Sequence, residues 1–406
     1  VPAVAWAAPA PNPAALAPAA PRLTLQGQPI AVAPDGQFGA LVAIDRAPTA
    51  TDLVVDIYAK VAPGQIVGVE PEGGPEATFE PISLEGGAPT TRTAGFTIDL
   101  YTKGQRNPDP AWGHRIDEPG VYPVRVRLQD AEGNRLAVMM TSLVRLPADG
   151  QTVSQTQAAL LVRVHRAPPA SATDRAAANR ADAGLLQELD PVLTALARRP
   201  DLPASFSVTP DTLARIAGDE TEAAALDRLR RAVAGDARTV LDAPYVDLDP
   251  TSLVRTDLAD ELGRQRDLGR QTLTELLEAP SSTTWQLQDH VDSATLTQLR
   301  SHGIYRAVLG GDALQRGAGT LAPVDLSAGS GTVRATAASQ AFALGPDAPN
   351  DPVLAAHRLL GRLAAAGPAP TGAAASVVVS IDPADVTPES LQVLLDALAF
   401  QTPFFT

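Results

Sequence analysis

Cysteine is absent from this chain of 406 residues, and lysine, aromatic residues and long apolar runs are scarce. Without cysteine there is no thiol nucleophile, no thiolate metal ligand and no disulfide. Lysine occurs only at Lys60 and Lys103, and the formal net charge of −14 argues against a basic surface that binds nucleic acid. No uninterrupted apolar stretch reaches the roughly 20 residues that a membrane-spanning helix needs.

The sequence motifs of several enzyme classes are missing as well. No G-x-S-x-G elbow marks a serine hydrolase, and no G-x-G-x-x-G loop follows a predicted strand. The histidines lack the close spacing of a metal-binding pair, so we predict neither a metal site nor a cofactor. They are His114, His165, His290, His302 and His357.

Residues 1–21 form a segment rich in alanine and proline. Its start resembles the end of a signal peptide, because Ala5-Trp6-Ala7 is the small-residue pattern of a cleavage site and a Pro/Ala spacer follows. We therefore expect an exported, extracytoplasmic protein. The alternative is a Pro/Ala linker without any address, since the charged and apolar front of a signal peptide is not present.

Residues 22–147 contain β-rich runs, several of which alternate apolar and polar side chains, and this pattern predicts an all-β domain. In the clearest unit, 120–147, Val124, Val126 and Leu128 alternate with arginine and glutamine, and 130–134 has the composition of a turn. This hairpin favours an immunoglobulin-like β-sandwich, although the cysteine pair of true immunoglobulin domains is lacking.

The polar segment 148–157 lies where the pattern changes, and we predict a linker there. From 158 to 406, seven short apolar runs are mostly separated by helical stretches, which predicts an incomplete (β/α)7-type barrel. We thus expect a multidomain protein of the all-β plus α/β class. Residues 310–331 are rich in glycine and alanine and lack helical periodicity, so they are predicted to form a loop, either a lid or a simple insertion.

Predicted helix starts combine a capping residue with proline at the first helical position. The longest predicted helix covers about 251–277, and its many charges indicate a solvent-exposed face. The five predicted starts are Asp190-Pro191, Thr209-Pro210, Asp249-Pro250, Asp351-Pro352 and Thr387-Pro388.

Side chains able to contact a ligand follow the predicted strands, at the end where barrel proteins have their sites. Because these strand ends share one rim, we expect the side chains to converge. Each also has an ordinary alternative, since aspartates cap helices or shape turns, a tryptophan packs in a core and an interior histidine is often simply hydrogen-bonded. We predict His165, Asp242, Tyr245, Trp285 and Gln288 as ligand-binding residues and, if the protein is an enzyme, Asp247, Asp289 and Asp382 as catalytic residues.

Four short motifs at these strand ends resemble those of the incomplete-barrel glycoside hydrolases and polysaccharide deacetylases. They are VHRAP at 164–168, APYVD at 243–247, TWQLQ at 284–288 and IDP at 381–383. The residue pattern of nearly the whole chain, including PYVDLDPTSL and DPVLAAHRLL, also resembles that of a family of secreted, membrane-tethered actinobacterial cell-envelope proteins. Members of that family are often encoded beside the peptidoglycan lipid flippase, and the resemblance implies no established activity.

The chain departs from the hydrolase motifs at the catalytic positions. The resemblance implies a nucleophilic glutamate where Gln288 stands, and an amide cannot form the glycosyl ester. A retaining mechanism would need Asp289 or Asp247 instead, with Asp382 matching the acid position in kind. The deacetylase motif fails too, because it needs paired aspartates and a His-x-x-x-His set on a metal, and the five histidines do not have this spacing.

These observations favour a non-catalytic carbohydrate-binding or scaffolding protein of the actinobacterial envelope, with a link to peptidoglycan assembly. One alternative is a glycoside hydrolase that acts on an envelope polysaccharide through aspartates. Another is a protein-interaction scaffold for an envelope membrane protein. The expected partner is an envelope glycan or membrane protein, with no nucleic acid. The apolar end, 400–406, predicts a fragment. The resemblance to the envelope family implies that a further domain and a membrane helix follow in a segment absent here.

Overall fold

The computed structural model has a mixed α/β fold with several β-sheets. For 175–184 and 186 only the helical backbone is described. The described residues are 20–63, 67–84, 91–153, 155–165, 175–218, 222–280, 282–287, 291–310, 322–339, 342–344, 348, 350–366, 375–400 and 403–404.

The first nine strands form two mostly antiparallel sheets, in the orders β1-β2-β6-β7 and β4-β3-β8-β9, with β5 also paired to β3. Leu25, Phe38 and Ile98 of one sheet and Val55 and Val126 of the other belong to a single buried cluster, so the sheets share a core. The strands are β1 (Arg22–Gly27), β2 (Gln37–Asp45), β3 (Ala50–Ile57), β4 (Ala77–Thr78), β5 (Ile82–Ser83), β6 (Thr91–Tyr101), β7 (Gly113–Arg115), β8 (Gly120–Asp130) and β9 (Arg135–Arg145).

The predicted hairpin of β8 and β9 is confirmed. Val124, Val126 and Leu128 are fully buried, and the turn is fixed by Asp130, whose carboxylate accepts the backbone N–H groups of Glu132 and Asn134. Alternation with a period of two therefore identified the face of β8 that packs in the core.

The second part of the chain alternates strands and helices. No helix within the described ranges is long and apolar enough to cross a bilayer. Its elements are β10 (Thr156–Val164), α1 (Arg175–Ala197), β11 (Ala204–Val208), α2 (Pro210–Ala217), α3 (Ala223–Val233), β12 (Arg238–Val240), α4 (Pro250–Arg255), α5 (Ala259–Leu277), β13 (Thr284–Leu287), α6 (Ser293–Ser301), β14 (Arg306–Gly310), β15 (Val324–Ala328), β16 (Gly331–Ala338), α7 (Pro352–Ala365), β17 (Ala375–Ile381), a 3₁₀ turn (Pro383–Asp385) and α8 (Pro388–Ala399).

All seven predicted strands of this part are present, and they pair in parallel as two sheets. One has the order β12-β11-β10-β17, and the other has the order β13-β14-β16, with β15 added antiparallel at its edge. On one side, Asp242, which follows β12, forms a parallel bridge to Trp285 of β13. On the other, Ala343, which follows β16, forms a parallel bridge to Ser380 of β17. A buried cluster unites side chains from both sheets: Leu161, Leu241, Ala338 and Val378, with Val308 against them.

Four of the five predicted helix starts are confirmed, at Pro210, Pro250, Pro352 and Pro388. The prediction at Pro191 is wrong, because this proline lies inside α1. Residues on both sides of it, among them Leu189, Val192, Leu193 and Leu196, are buried in the core. Their packing stabilises the helix despite the hydrogen bond that proline cannot donate.

Two further predictions need correction. The single helix over 251–277 is split into α4 and α5, since Asp257 has a left-handed backbone with φ of 58°, which a continuous helix excludes. The prediction of a loop over 310–331 is wrong in part, because β15 lies within this range and pairs with the neighbouring β16. Its residues 311–321 lie outside the described part of the chain.

Helix α7 packs against both parts of the protein. Leu354 lies in the core of the two antiparallel sheets, whereas Leu360 lies in the core beside the parallel strands. The Arg358 side chain donates from Nε to the Met140 carbonyl (3.0 Å), and the Leu25 N–H donates to the Asp351 carboxylate (3.2 Å). These contacts attach the sheet pair to the end of the chain.

Burial on α7 lowers the pKa of His357 to about 4, and its side chain is only 3% exposed. The folded protein prefers the neutral imidazole, so protonation of His357 lowers the free energy of unfolding. The contribution of the neutral imidazole is complete above about pH 6.5 and is lost as the pH falls toward 4. The loss is about 3 kcal/mol below the folded pKa. We expect urea unfolding of His357→Leu to depend less on pH over this interval than that of the wild type. Parallel pH profiles would contradict the assignment.

Candidate functional site

A cleft of about 300 Å³ opens at the carboxyl ends of β10, β11, β12, β13 and β17. Its volume is at the lower end of the range for small-molecule sites. Strand ends of parallel α/β proteins form such sites because side chains from several strands converge there. Residues from each of these ends line it, including Arg163, His165, Asp242, Asp247, Gln286 and Asp382.

The structure brings most of the predicted site residues together. The cleft is lined by His165, Asp242, Asp247, Trp285 and Asp382. Gln288 and Asp289 lie outside the described residues.

Tyr245 does not line this cleft, which differs from the predicted convergence. Its backbone N–H donates to the Gln265 carbonyl (2.8 Å), and its own carbonyl accepts from the Asp211 N–H (2.8 Å). These bonds fix the chain between α2 and α5. The position therefore has a structural role in holding the loop that carries Asp247.

His165 lies between two polar partners at the mouth of the cleft. Its Nδ1 is 2.8 Å from Thr209 Oγ1, and its Nε2 is 3.4 Å from the carboxylate of Asp247. Thr209 precedes α2, but its hydroxyl caps no backbone N–H of that helix. The hydroxyl orients the imidazole instead, a role that a capping pattern in the sequence does not reveal.

Asp242 is buried beneath the cleft in an ion pair. Its carboxylate accepts from Arg266 Nε (2.9 Å), and the two side chains are 1% and 11% exposed. Burial raises the pKa of Asp242, while the Arg266 guanidinium opposes this rise. The ion pair with Arg266 supports the loop that leads from Asp242 to Asp247.

Helix α5 approaches the same loop closely through a glycine. A Cβ at Gly269 would overlap the carbonyl oxygen of Ala243. The missing side chain thus lets α5 present Arg266 to Asp242. This contact positions the segment that leads to Asp247.

Trp285 offers no free ring face to a ligand. Its side chain is 4% exposed and belongs to a core cluster with Leu262, Leu296 and Leu299. The alternative that this residue packs in a core therefore describes it better than stacking on a sugar. Its contribution to the cleft lining is structural.

A polar network that the sequence did not identify forms the floor of the cleft. When the Gln286 amide nitrogen faces Ser207, it donates to Oγ (2.7 Å), and the amide oxygen accepts from Arg163 Nε (3.2 Å) and Nη2 (3.3 Å). Arg163 and Ser207 are direct neighbours on β10 and β11, whereas Gln286 comes from β13. The sequence feature that could have indicated this network is Arg163, a charged residue within the apolar run 160–164.

The remaining aspartates of the lining act as caps. Asp249 accepts the N–H groups of Thr251 (2.9 Å) and Ser252 (3.2 Å), and Asp382 accepts that of Ala384 (3.1 Å). Within the described segments, no group of three or more His, Asp or Glu side chains is arranged to hold a metal ion. The site therefore presents oriented hydrogen-bonding groups.

No protein-family model and no curated protein matches the chain. Among solved structures, a 4-α-glucanotransferase from Thermococcus litoralis is 12% identical with a TM-score of 0.45, over 62% of this chain and 37% of its own. An α-mannosidase from Enterococcus faecalis V583 is 12% identical with a TM-score of 0.43, over 62% and 28%. A β-glucosidase from Listeria innocua is 18% identical with a TM-score of 0.19, over 31% and 16%. The chain spans 37% or less of the length of each of these three proteins.

Proposed function

We propose that the cleft binds a carbohydrate and that the protein does not hydrolyse it. The observation that carries this proposal is the set of planar polar groups from separate strands, Arg163, His165, Asp247 and Gln286, around one small cleft. Carboxylates accept hydrogen bonds from sugar hydroxyls, whereas guanidinium and amide groups donate to sugar oxygens. A polyhydroxylated ligand satisfies both kinds of group at once.

The bonding of the carboxylates supports a non-catalytic role. Glycoside hydrolysis uses a pair of carboxyl groups, one of them an acid with a raised pKa. Burial raises the pKa of Asp242, but this residue is committed to Arg266. Asp247 lies against His165, and Asp382 accepts a backbone N–H. These arrangements suit binding better than proton transfer.

For the architecture, we propose an immunoglobulin-like sandwich followed by an incomplete (β/α)7-type barrel. The shared core of the two antiparallel sheets supports the first assignment. The second is supported by the two bridges between the parallel sheets and by the interior cluster around Leu161. A barrel would place the cleft at its carboxyl-terminal rim.

We further propose that the protein acts outside the cytoplasm, as a binding or scaffolding component of the actinobacterial envelope. The alanine- and proline-rich start of the chain and its resemblance to envelope proteins support this location. A membrane protein of the envelope remains an alternative partner, which pull-down from envelope membranes tests.

Removal of the Asp247 carboxylate tests carbohydrate binding. We expect Asp247→Ala to weaken binding at least about tenfold, because a hydrogen bond to a charged group contributes about 1.5–3 kcal/mol. Titration calorimetry with soluble peptidoglycan fragments and with neutral and acidic oligosaccharides measures the affinity. Asp325→Ala is the control, since Asp325 is an exposed carboxylate on β15 that does not line the cleft.

Two outcomes would overturn the proposal. One is an absence of binding to every glycan, with the protein folded. The other is an equal loss of affinity in both aspartate variants. Release of reducing sugar, abolished in Asp247→Ala, would instead favour the glycoside hydrolase.

A further inference from the structure

Arg163 is a cation at the floor of the cleft whose described hydrogen bonds go to a neutral side chain. When the Gln286 amide nitrogen faces Ser207, the amide oxygen accepts from Nε and Nη2 of Arg163, and among the described residues no carboxylate forms an ion pair with Arg163. Arg163 is half-buried and lines the cleft. It lies on the same face of β10 as Leu161, two residues before it, and His165, two residues after it. A guanidinium in such a position gains most from an anionic partner.

The aspartates of the lining have their own partners. Asp242 pairs with Arg266, and Asp247 lies against His165. Asp249 and Asp382 accept backbone N–H groups at the starts of α4 and of the 3₁₀ turn. Among the described residues of the lining, no carboxylate pairs with Arg163, so its charge is open to a ligand.

The geometry of the floor also holds the guanidinium in place. Gln286 engages one edge of it and is itself bonded to Ser207, so three strands fix the side chain. Preorganisation of this kind lowers the entropy that binding would otherwise cost. An arginine held by one edge can offer remaining N–H groups to a planar carboxylate.

We propose that Arg163 binds the carboxylate of an acidic sugar, such as a uronic acid, whose hydroxyl groups contact Asp247 and His165 at the mouth. This inference rests on the proposed function and specifies the class of glycan. A simple anion fits less well, because the carboxylates of the mouth would repel it. An acidic sugar combines a negative group for the floor with hydroxyl donors for the mouth.

Paired probes test this inference. A uronic-acid oligosaccharide is compared with the same oligosaccharide after reduction of its carboxylates to hydroxymethyl groups, and both are titrated by calorimetry. We expect the wild type to bind the acidic probe at least about tenfold more tightly, consistent with a charge-assisted hydrogen bond. Arg163→Gln should remove this preference, so that the variant binds the acidic and the reduced probe with similar affinity.

Arg306→Gln is the matched control, because Arg306 is exposed at the opposite, amino-terminal end of β14. Arg163→Lys keeps the charge but loses the fork of donors, so we expect a preference between those of wild type and Arg163→Gln. It also provides a second reading if Arg163→Gln unfolds. If a phosphorylated sugar binds more tightly than the uronic-acid probe, and loses this advantage in Arg163→Gln, the ligand group is a phosphate and the assignment to a carboxylate is overturned.

The outcomes separate the two proposals. If the wild type binds the acidic and the reduced probe equally well, the role of Arg163 is overturned, while carbohydrate binding stands. A preference that survives in Arg163→Gln and Arg163→Lys overturns it as well. Failure of the wild type to bind either probe or any other glycan overturns the proposed function itself.

Discussion

Replacement of Arg266 by methionine is expected to destabilise the protein by about 3–5 kcal/mol, because Asp242 would become a buried carboxylate without a cation. The wild-type pair is joined at 2.9 Å beneath the cleft. Its loss would also release the loop that carries Asp247. Urea unfolding at neutral pH measures the change in the free energy of unfolding.

The effect of Arg266→Met should depend on pH. Burial already raises the pKa of Asp242 in the presence of Arg266, and removal of the guanidinium raises it further. The penalty is therefore largest above the variant's folded pKa and decreases as acidification protonates the carboxyl. Arg264→Met is the control on the same helix, since Arg264 is 71% exposed and its pair with Glu261 contributes at most about 1 kcal/mol. Equal losses in both variants would contradict the importance of the buried pair.

Asp56→Ala is expected to produce a similarly large loss in the antiparallel sheets, about 3–5 kcal/mol. Asp56 is fully buried on β3, and its carboxylate accepts from Arg125 (2.9 Å), Arg127 (2.8 and 3.1 Å) and Thr78 (2.7 Å). The variant leaves two neighbouring guanidinium groups without their shared anion. Asp52→Ala is the control on the same strand, and we expect it to change the free energy of unfolding by less than about 0.5 kcal/mol.

Asp56 also predicts a loss of stability in acid. Burial raises the pKa of this carboxyl, but the hydrogen bonds from Arg127, Thr78 and Arg125 lower it more, so the pKa lies below its usual value. Its stabilisation is complete above the unfolded pKa of about 4 and is lost as the pH falls through the folded pKa. Unfolding of the wild type and Asp56→Ala should therefore converge in strong acid. A constant difference down to pH 2 would contradict this ion cluster.

Local patterns in the sequence predicted the strands and most helix starts because each depends on neighbouring residues. The alternation in β8 identified its buried face, and the Asp249-Pro250 pair identified the start of α4. Pro191 was misleading because long-range packing of α1 outweighs the local preference of proline. The break between α4 and α5 at Asp257 was likewise not visible in the local pattern, because each helix is positioned by its own packing.

The candidate site was predictable only in outline. The position of His165, Asp247 and Asp382 at strand ends follows from the order of strands, so their common cleft could be anticipated. The network of Arg163 and Gln286 joins residues more than a hundred positions apart, which no local pattern reveals. Burial of Trp285 depends likewise on two helices, α5 before it in the chain and α6 after it.

The most direct test of carbohydrate binding in this cleft is a crystal structure with the tightest-binding oligosaccharide. We expect a sugar at the carboxyl ends of β10, β11, β12 and β13, with hydrogen bonds to Asp247 and His165 and a carboxylate on Arg163. A sugar bound on the antiparallel sheets, with an empty cleft beneath His165, would contradict it.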